Sequence, residues 1–243
     1  MHLPIKPLAA AFVAACIVRE IRCGYFKSFK SYLPSVKFKA LVQILALTVC
    51  VAGCALIIDQ PLAGWARAQT AVFFTEISRL GGLMGKGANP WFFMGIVYCL
   101  AALLKRERWS RVSFACMLSS AITAVAANLL KITFLRARPF MNWGDLSFFN
   151  YQELFHHKKD NFFSFPSGDV AVVAGAAAYL FYSVQNIYFR SLFLVLPLMT
   201  AFSRIYKNKH WPSDTLFSIG LGLAAALFVV HYERFVKTTS EIR

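Results

Sequence analysis

The sequence predicts an all-α, polytopic membrane protein with six transmembrane helices plus an N-terminal and an outer interfacial helix, and three observations carry that reading. Of 243 residues, 58% are hydrophobic, 24 are Phe and only 15% are charged, and the mean hydropathy is +0.55. One soluble core cannot take up so many apolar side chains, so much of the surface must face lipid. The apolar residues also gather in runs close to the roughly 17 to 25 residues that a bilayer-crossing helix needs. Finally, the charge sits in short clusters between those runs. The 26 Lys and Arg outnumber 11 acids, for a formal net charge of +15. A nucleic-acid binder concentrates such charge on one soluble face, so no nucleic-acid partner is expected.

The chain opens with a basic segment, residues 1–39, expected to be cytoplasmic or interfacial. Leu8–Val18 is apolar, and Val13-Ala14-Ala15-Cys16 resembles a lipoprotein cleavage box. A cleaved signal carries its positive charge ahead of the apolar core, whereas here only Lys6 precedes it and the main cluster follows. The run therefore reads as an interfacial or re-entrant helix.

Six apolar runs then build a membrane domain over residues 40–235: Ala40–Ile58, Pro90–Leu104, Val112–Leu135, Asp169–Val184, Ser191–Ser203 and Leu216–Tyr232. Two basic clusters orient them. Arg19, Arg22, Lys27, Lys30, Lys37 and Lys39 stand against Glu20, and Lys105–Arg111 holds four bases against Glu107. By the positive-inside rule both are cytoplasmic, as is the tail at 236–243. Asp59–Asn89, Arg136–Gly168 and the turn around His210 then fall outside. Within the first of these, Ala63–Leu80 reads as a helix along the outer boundary, with Trp65, Val72, Phe73 and Leu80 on one side and Gly81-Gly82 as its end. Gly85–Pro90 reads as a turn and lacks the phosphate-loop spacing. The six cysteines form no Cys-x-x-Cys pair and read as small buried hydrophobes.

Three polar groups do not suit a membrane. Lys131-Ile-Thr-Phe-Leu-Arg136-Ala-Arg138-Pro139 ends the third span, Phe165-Pro166-Ser167-Gly168-Asp169 opens the fourth, and Ser203-Arg204 through His210 to Asp214 joins the fifth and sixth. Singly, each has a plain structural reading: Lys131, Arg136 and Arg138 as head-group anchors, Pro-Ser-Gly as a helix start, His210 as an interfacial side chain. Together, on one outer face, they point to phosphate. Lys131, Arg138 and Arg204 are cations without enough local acid, as a dianion and its transition state require. Pro166 suits a first helical turn, where the Ser167 and Gly168 N–H groups face an anion. A neutral His210 can attack phosphorus, and Asp214, in the first turn after Pro212, can bond its other ring nitrogen.

These groups resemble the signature of the type 2 phosphatidic acid phosphatase superfamily: Lys-x6-Arg-Pro, Pro-Ser-Gly-His and Ser-Arg-x5-His-x3-Asp. Lys131, Arg138 and Pro139 match the first motif, Pro166, Ser167 and Gly168 the second, and Ser203, Arg204, His210 and Asp214 the third. The resemblance implies a phosphatase without metal or cofactor that works through a phosphohistidine. His210 is then the nucleophile and Asp214 its orienting partner, with Lys131, Arg138, Arg204, Ser167 and Gly168 holding the phosphate. It further implies a lipid phosphate substrate, lipid A or undecaprenyl diphosphate foremost, processed on the periplasmic face of a bacterial inner membrane. Some members transfer the phosphoryl group to another lipid, and a non-catalytic lipid-phosphate binding or transport protein is the alternative class.

Asp169 stands where the family has histidine. That histidine protonates the leaving oxygen, whereas an aspartate among cations is ionised at neutral pH and a poor acid. Three compensations are open: burial that keeps the carboxyl protonated, His156 or His157 from the outer loop, or a leaving group that needs no proton.

Overall fold

The computed structural model describes residues 5–32, 38–86 and 89–241; Lys37 of the basic cluster and Gly87 and Ala88 of the expected turn lie outside them. The described chain is helical, without strands, in the order α1 (Ile5–Arg22), α2 (Phe29–Tyr32), α3 (Phe38–Ala55), α4 (Asp59–Ala68), α5 (Val72–Gly85), α6 (Asn89–Leu103), α7 (Glu107–Phe134), α8 (Gly168–Ser183), α9 (Ile187–Tyr206) and α10 (Pro212–Glu241). Among the described residues, four helical stretches are long and apolar enough to cross a membrane: Lys39–Ala68, Glu107–Met141, Ile187–Tyr206 and Pro212–Lys237. Two more, Asn89–Leu103 and Gly168–Ser183, are apolar but shorter. Each of the six expected runs thus falls on a helix.

Helix α8 is enclosed: Val170 through Tyr179 are all buried, so it is apolar all round rather than striped. It packs against α7, α9 and α10 through small residues and a few hydroxyls. Ser119 Oγ donates to the Gly175 carbonyl and Ser120 Oγ to the Val172 carbonyl, both at 2.8 Å. Hydroxyls that bond across helices, with alanine and glycine at the crossings, let backbones approach closely in a lipid setting. At Gly222 of α10 a Cβ would run into the backbone of Ala174 and Gly175, so only glycine allows α8 and α10 to lie this close. The outward faces carry Val42, Leu47, Ile57, Leu129, Ile132, Phe189 and Leu192, all exposed, as a lipid-facing surface demands.

Two expectations need correction. The helix expected over Ala63–Leu80 is two helices, broken at residues 69–71, where Gln69 and Ala71 adopt extended backbone. Gly81-Gly82 does not end α5, which continues to Gly85. These glycines serve close packing instead: a Cβ on Gly81 would meet the Met199 carbonyl, and one on Gly82 would meet Ser203 and Lys207. Helix α5 accordingly runs antiparallel along the end of α9, with Thr75 at Tyr206 and Ser78 at Ser203.

At the opposite end of the bundle, the N-terminal segment is packed against it. Cys16 of α1 is buried with Tyr98, Phe114 and Met117, while Tyr25, Phe26, Phe29 and Tyr32 gather around Tyr232. All six cysteines are free; Cys16 and Cys116 are buried, but Cys23, Cys50, Cys54 and Cys99 are exposed, which corrects their reading as buried hydrophobes.

Candidate active site

All three polar groups converge at one end of the bundle. Lys131 lies in the last turn of α7, whose helix stops at Leu135 in the left-handed conformation (φ 39°). The chain then leaves as an extended segment that is pinned on both sides. Ala137 N–H donates to the Ser147 carbonyl, Arg138 N–H to the Asn161 carbonyl and Ser164 N–H to the Arg136 carbonyl. Ser167 caps α8, and the Ala171 N–H donates to its carbonyl at 2.9 Å. Pro166 therefore precedes the cap and is outside the first turn where it was expected. A Cβ on Gly168 would stand 3.1 Å from Lys131 Nζ, so glycine leaves that ammonium its place.

His210 sits in the turn between α9 and α10 and is buried. Its Nδ1 lies 2.6 Å from the Ser164 carbonyl oxygen. A carbonyl only accepts, so Nδ1 carries the proton and the Nε2 lone pair is left for chemistry. Asp214 Oδ2 is 3.8 Å from Nδ1, beyond hydrogen-bond reach. The expected direct Asp214 bond is thus taken by Ser164, and Asp214 supports the ring by charge and by binding the Ser164 hydroxyl at 2.6 Å and the Trp211 N–H at 2.8 Å. Burial pushes the imidazole below its ordinary pKa; Asp214 opposes this, while Lys131 and Arg138 add to it. The ring is accordingly neutral at pH 7, as a nucleophile must be.

His210, Lys131, Arg138, Arg204, Gly168 and Asp169 line a single cavity of about 430 Å³. Three buried donors without a protein hydrogen-bond partner gather there: Arg138 Nε, Trp91 Nε1 and, beside Gly168, Ser167 Oγ. Buried donors of that kind are costly in an apolar surrounding and are suited to an anion. The eight residues singled out from sequence therefore lie in or against one site. A larger cavity, about 800 Å³, lies at the opposite end among Arg19, Tyr25, Glu107, Tyr179 and Glu233, and none of the motif residues lines it.

Asp169 is about a third exposed, and its Oδ2 lies 3.2 Å from Arg204 Nε. The carboxyl thus lacks the enclosed, cation-free setting that compensation by burial requires. His156 and His157 do not line the cavity. His157 instead packs edge-on against Trp143 and faces Glu153 at 3.7 Å.

Sequence reasoning missed a layer behind the histidine. Arg136, read as a possible lipid anchor, is fully buried; its guanidinium binds Asp59 Oδ2 at 2.6 Å and Asp214 Oδ1 and lies over the Phe148 and Trp211 rings. Asp59, also fully buried, accepts from Ser213 N–H at 2.8 Å and from the Ser213 hydroxyl. Stripping one partner from such a pair costs about 3–5 kcal/mol. A signal existed: Asp59 is an acid within the helical stretch Lys39–Ala68, and acids at membrane depth call for a partner.

Lipid-facing helices that enclose a neutral histidine among lysine and arginine side chains define a membrane enzyme for phosphate esters. A model of the PAP2 superfamily matches residues 112–237, more than half of the chain and every motif residue. The chain belongs to the PAP2 superfamily and is a membrane phosphatase. It is 26% identical over 164 residues to the undecaprenyl-diphosphatase of Sulfolobus acidocaldarius, covering 66% of this chain and 74% of that protein. The fold is similar to that of Aquifex aeolicus LpxE (TM-score 0.51, 18% identity, 71% of this chain and 94% of the other). It is also similar to the PAP2-type phosphatidylglycerolphosphate phosphatase of Bacillus subtilis (TM-score 0.50, 20% identity, 84% and 98%).

Proposed function

We propose that this protein removes the terminal phosphate from a membrane lipid diphosphate through a phosphohistidine, without a metal. The observation that carries the reading is the convergence of the His210 Nε2 edge, the unpartnered donors of Arg138 and Ser167 and the Arg204 guanidinium on one cavity. Nε2 attacks the terminal phosphorus, the bond to the bridging oxygen breaks, and the lipid monophosphate departs. Lys131, Arg138, Arg204 and the start of α8 hold the charge that builds on the equatorial oxygens. Water then attacks the phosphohistidine, releasing inorganic phosphate and restoring His210. The pairing of Asp169 with Arg204 favours a diphosphate, because its leaving group is already a stable anion. An undecaprenyl diphosphate fits this chemistry. A lipid A 1-phosphate, with its more acidic anomeric oxygen, is next. Purified protein in detergent, given polyprenyl diphosphate, lipid A and phosphatidate, should release phosphate fastest from the diphosphate and pass none to acceptor lipids. No release from any of them would overturn the proposal.

The reading includes six spans, α3 and α6 to α10, both termini in the cytoplasm, and the site on the periplasmic face of the inner membrane. The basic clusters around Arg19 and Arg106 support that orientation. The loop after α7 offers an exposed reporter at His156, whereas Asn150 is engaged with the Leu135 carbonyl. In a cysteine-free background, an impermeant thiol reagent on intact cells should label His156→Cys and spare Arg106→Cys. The reverse pattern would invert the topology.

A further inference from the structure

We infer that Asp59, carried by α4 outside the family-matched segment, is a positioning residue of the active site that keeps a net negative charge behind His210. Two carboxylates, Asp59 and Asp214, share the single guanidinium of Arg136, and all three groups are fully buried. Every hydrogen bond to the Asp59 carboxyl is one it accepts: from Arg136 at 2.6 Å, from the Ser213 N–H at 2.8 Å and from the Ser213 hydroxyl. That geometry calls for a carboxylate. Without it, Arg136 would cancel Asp214, the one acid facing the Nδ1 edge of the ring. With it, Arg136 is neutralised from behind, and Asp214 keeps its charge toward the histidine. The phosphohistidine step places positive charge on the ring, so this arrangement stabilises it. Ser213 ties Asp59 to Arg136 a second time, because its hydroxyl accepts from Arg136 at 2.8 Å while its N–H donates to Asp59.

The consequence for turnover rests on His210 being the nucleophile, as proposed above, but the test reads the ring itself. The other charged groups around His210 are Lys131, Arg138 and Lys209, with Arg204, Asp169 and Asp160 on the cavity wall; none of them changes in the variants. Full-length protein in detergent is treated with diethylpyrocarbonate from pH 5 to 8. Modification at His210, resolved from the other histidines by peptide mass spectrometry, reports the neutral fraction without needing substrate. Asp59→Asn should move the midpoint about one pH unit lower, since a buried charge lost near the ring destabilises its cationic form. It should also lower kcat about 10-fold with KM changed little. An unchanged midpoint in folded Asp59→Asn protein would overturn the inference.

The double variant Asp59→Asn/Arg136→Met removes both charges of the pair, a change that buried pairs often tolerate. It decides the matter even if Asp59→Asn does not fold. Compensation between the two losses should return the midpoint to near the wild-type value. If Asp59 had no influence on the ring, losing Arg136 would raise the midpoint by about one unit instead.

Discussion

His210→Ala abolishes turnover of lipid phosphates by at least about 100-fold while the protein remains folded, and Arg204→Ala falls in the same range. On the proposed mechanism the first removes the atom that bonds phosphorus. The second removes a guanidinium whose donors face the cavity, and loss of one such transition-state donor costs about 10² to 10³ in rate. His210 is the last residue but one before α10, and its Nδ1 bond to the Ser164 carbonyl is its main tie to the loop. Alanine there should leave the Arg136 network intact, with its contacts to Asp59, Asp214 and Ser213. The measurement is phosphate release by purified protein beside a thermal melt, with acid-labile phosphoenzyme trapped in the wild type and absent from the variant. EDTA should change neither rate. A folded His210→Ala protein that keeps full activity, or strict dependence on an added divalent ion, would remove the phosphohistidine mechanism.

The second large effect belongs to Asp169. An alkyl monophosphate must expel an alkoxide, which needs an acid, whereas a diphosphate expels a stable phosphate anion. With Asp169 paired to Arg204 at 3.2 Å, the wild type should favour the diphosphate. Asp169→His should raise the rate on an alkyl monophosphate selectively, by about 10² where a general acid is the missing element. Asp169→Asn separates the remaining roles. If Asp169 donates the proton, asparagine costs about 10² or more on every substrate; on the present reading, diphosphate turnover barely changes. Equal wild-type rates on both substrate classes, with chemistry rate-limiting and Asp169→His no faster, would sink the leaving-group account.

The candidate site was legible in sequence because its parts are local and chemically conspicuous. Lys131, Arg138, Arg204 and His210 are charged or titratable groups at the ends of apolar runs, and such groups need a reason to be there. Their spacing put them within a turn or two of helix ends. The helices were legible for the same reason, since lipid imposes a length and a composition on each run. Less legible was the outer segment: Gly81-Gly82 looks like a helix stop in one dimension, yet those glycines are where α5 meets the α9 backbone at Met199.

Sequence alone determined that the chain is a helical membrane protein, that the cations at its span ends and its histidine belong together, and that Asp169 is the odd position. The first two follow from the cost of placing polar groups near lipid, which is written into composition and spacing, and the third from the motif that Asp169 departs from. Tertiary structure alone decided which carboxylate does what. Asp59 and Arg136 are 77 residues apart and share one buried contact; the Nδ1 proton of His210 goes to Ser164, 46 residues away. Asp169 meets Arg204 across the cavity. A carboxylate can orient, neutralise or donate, and the choice is made by which donors surround it once the helices have packed.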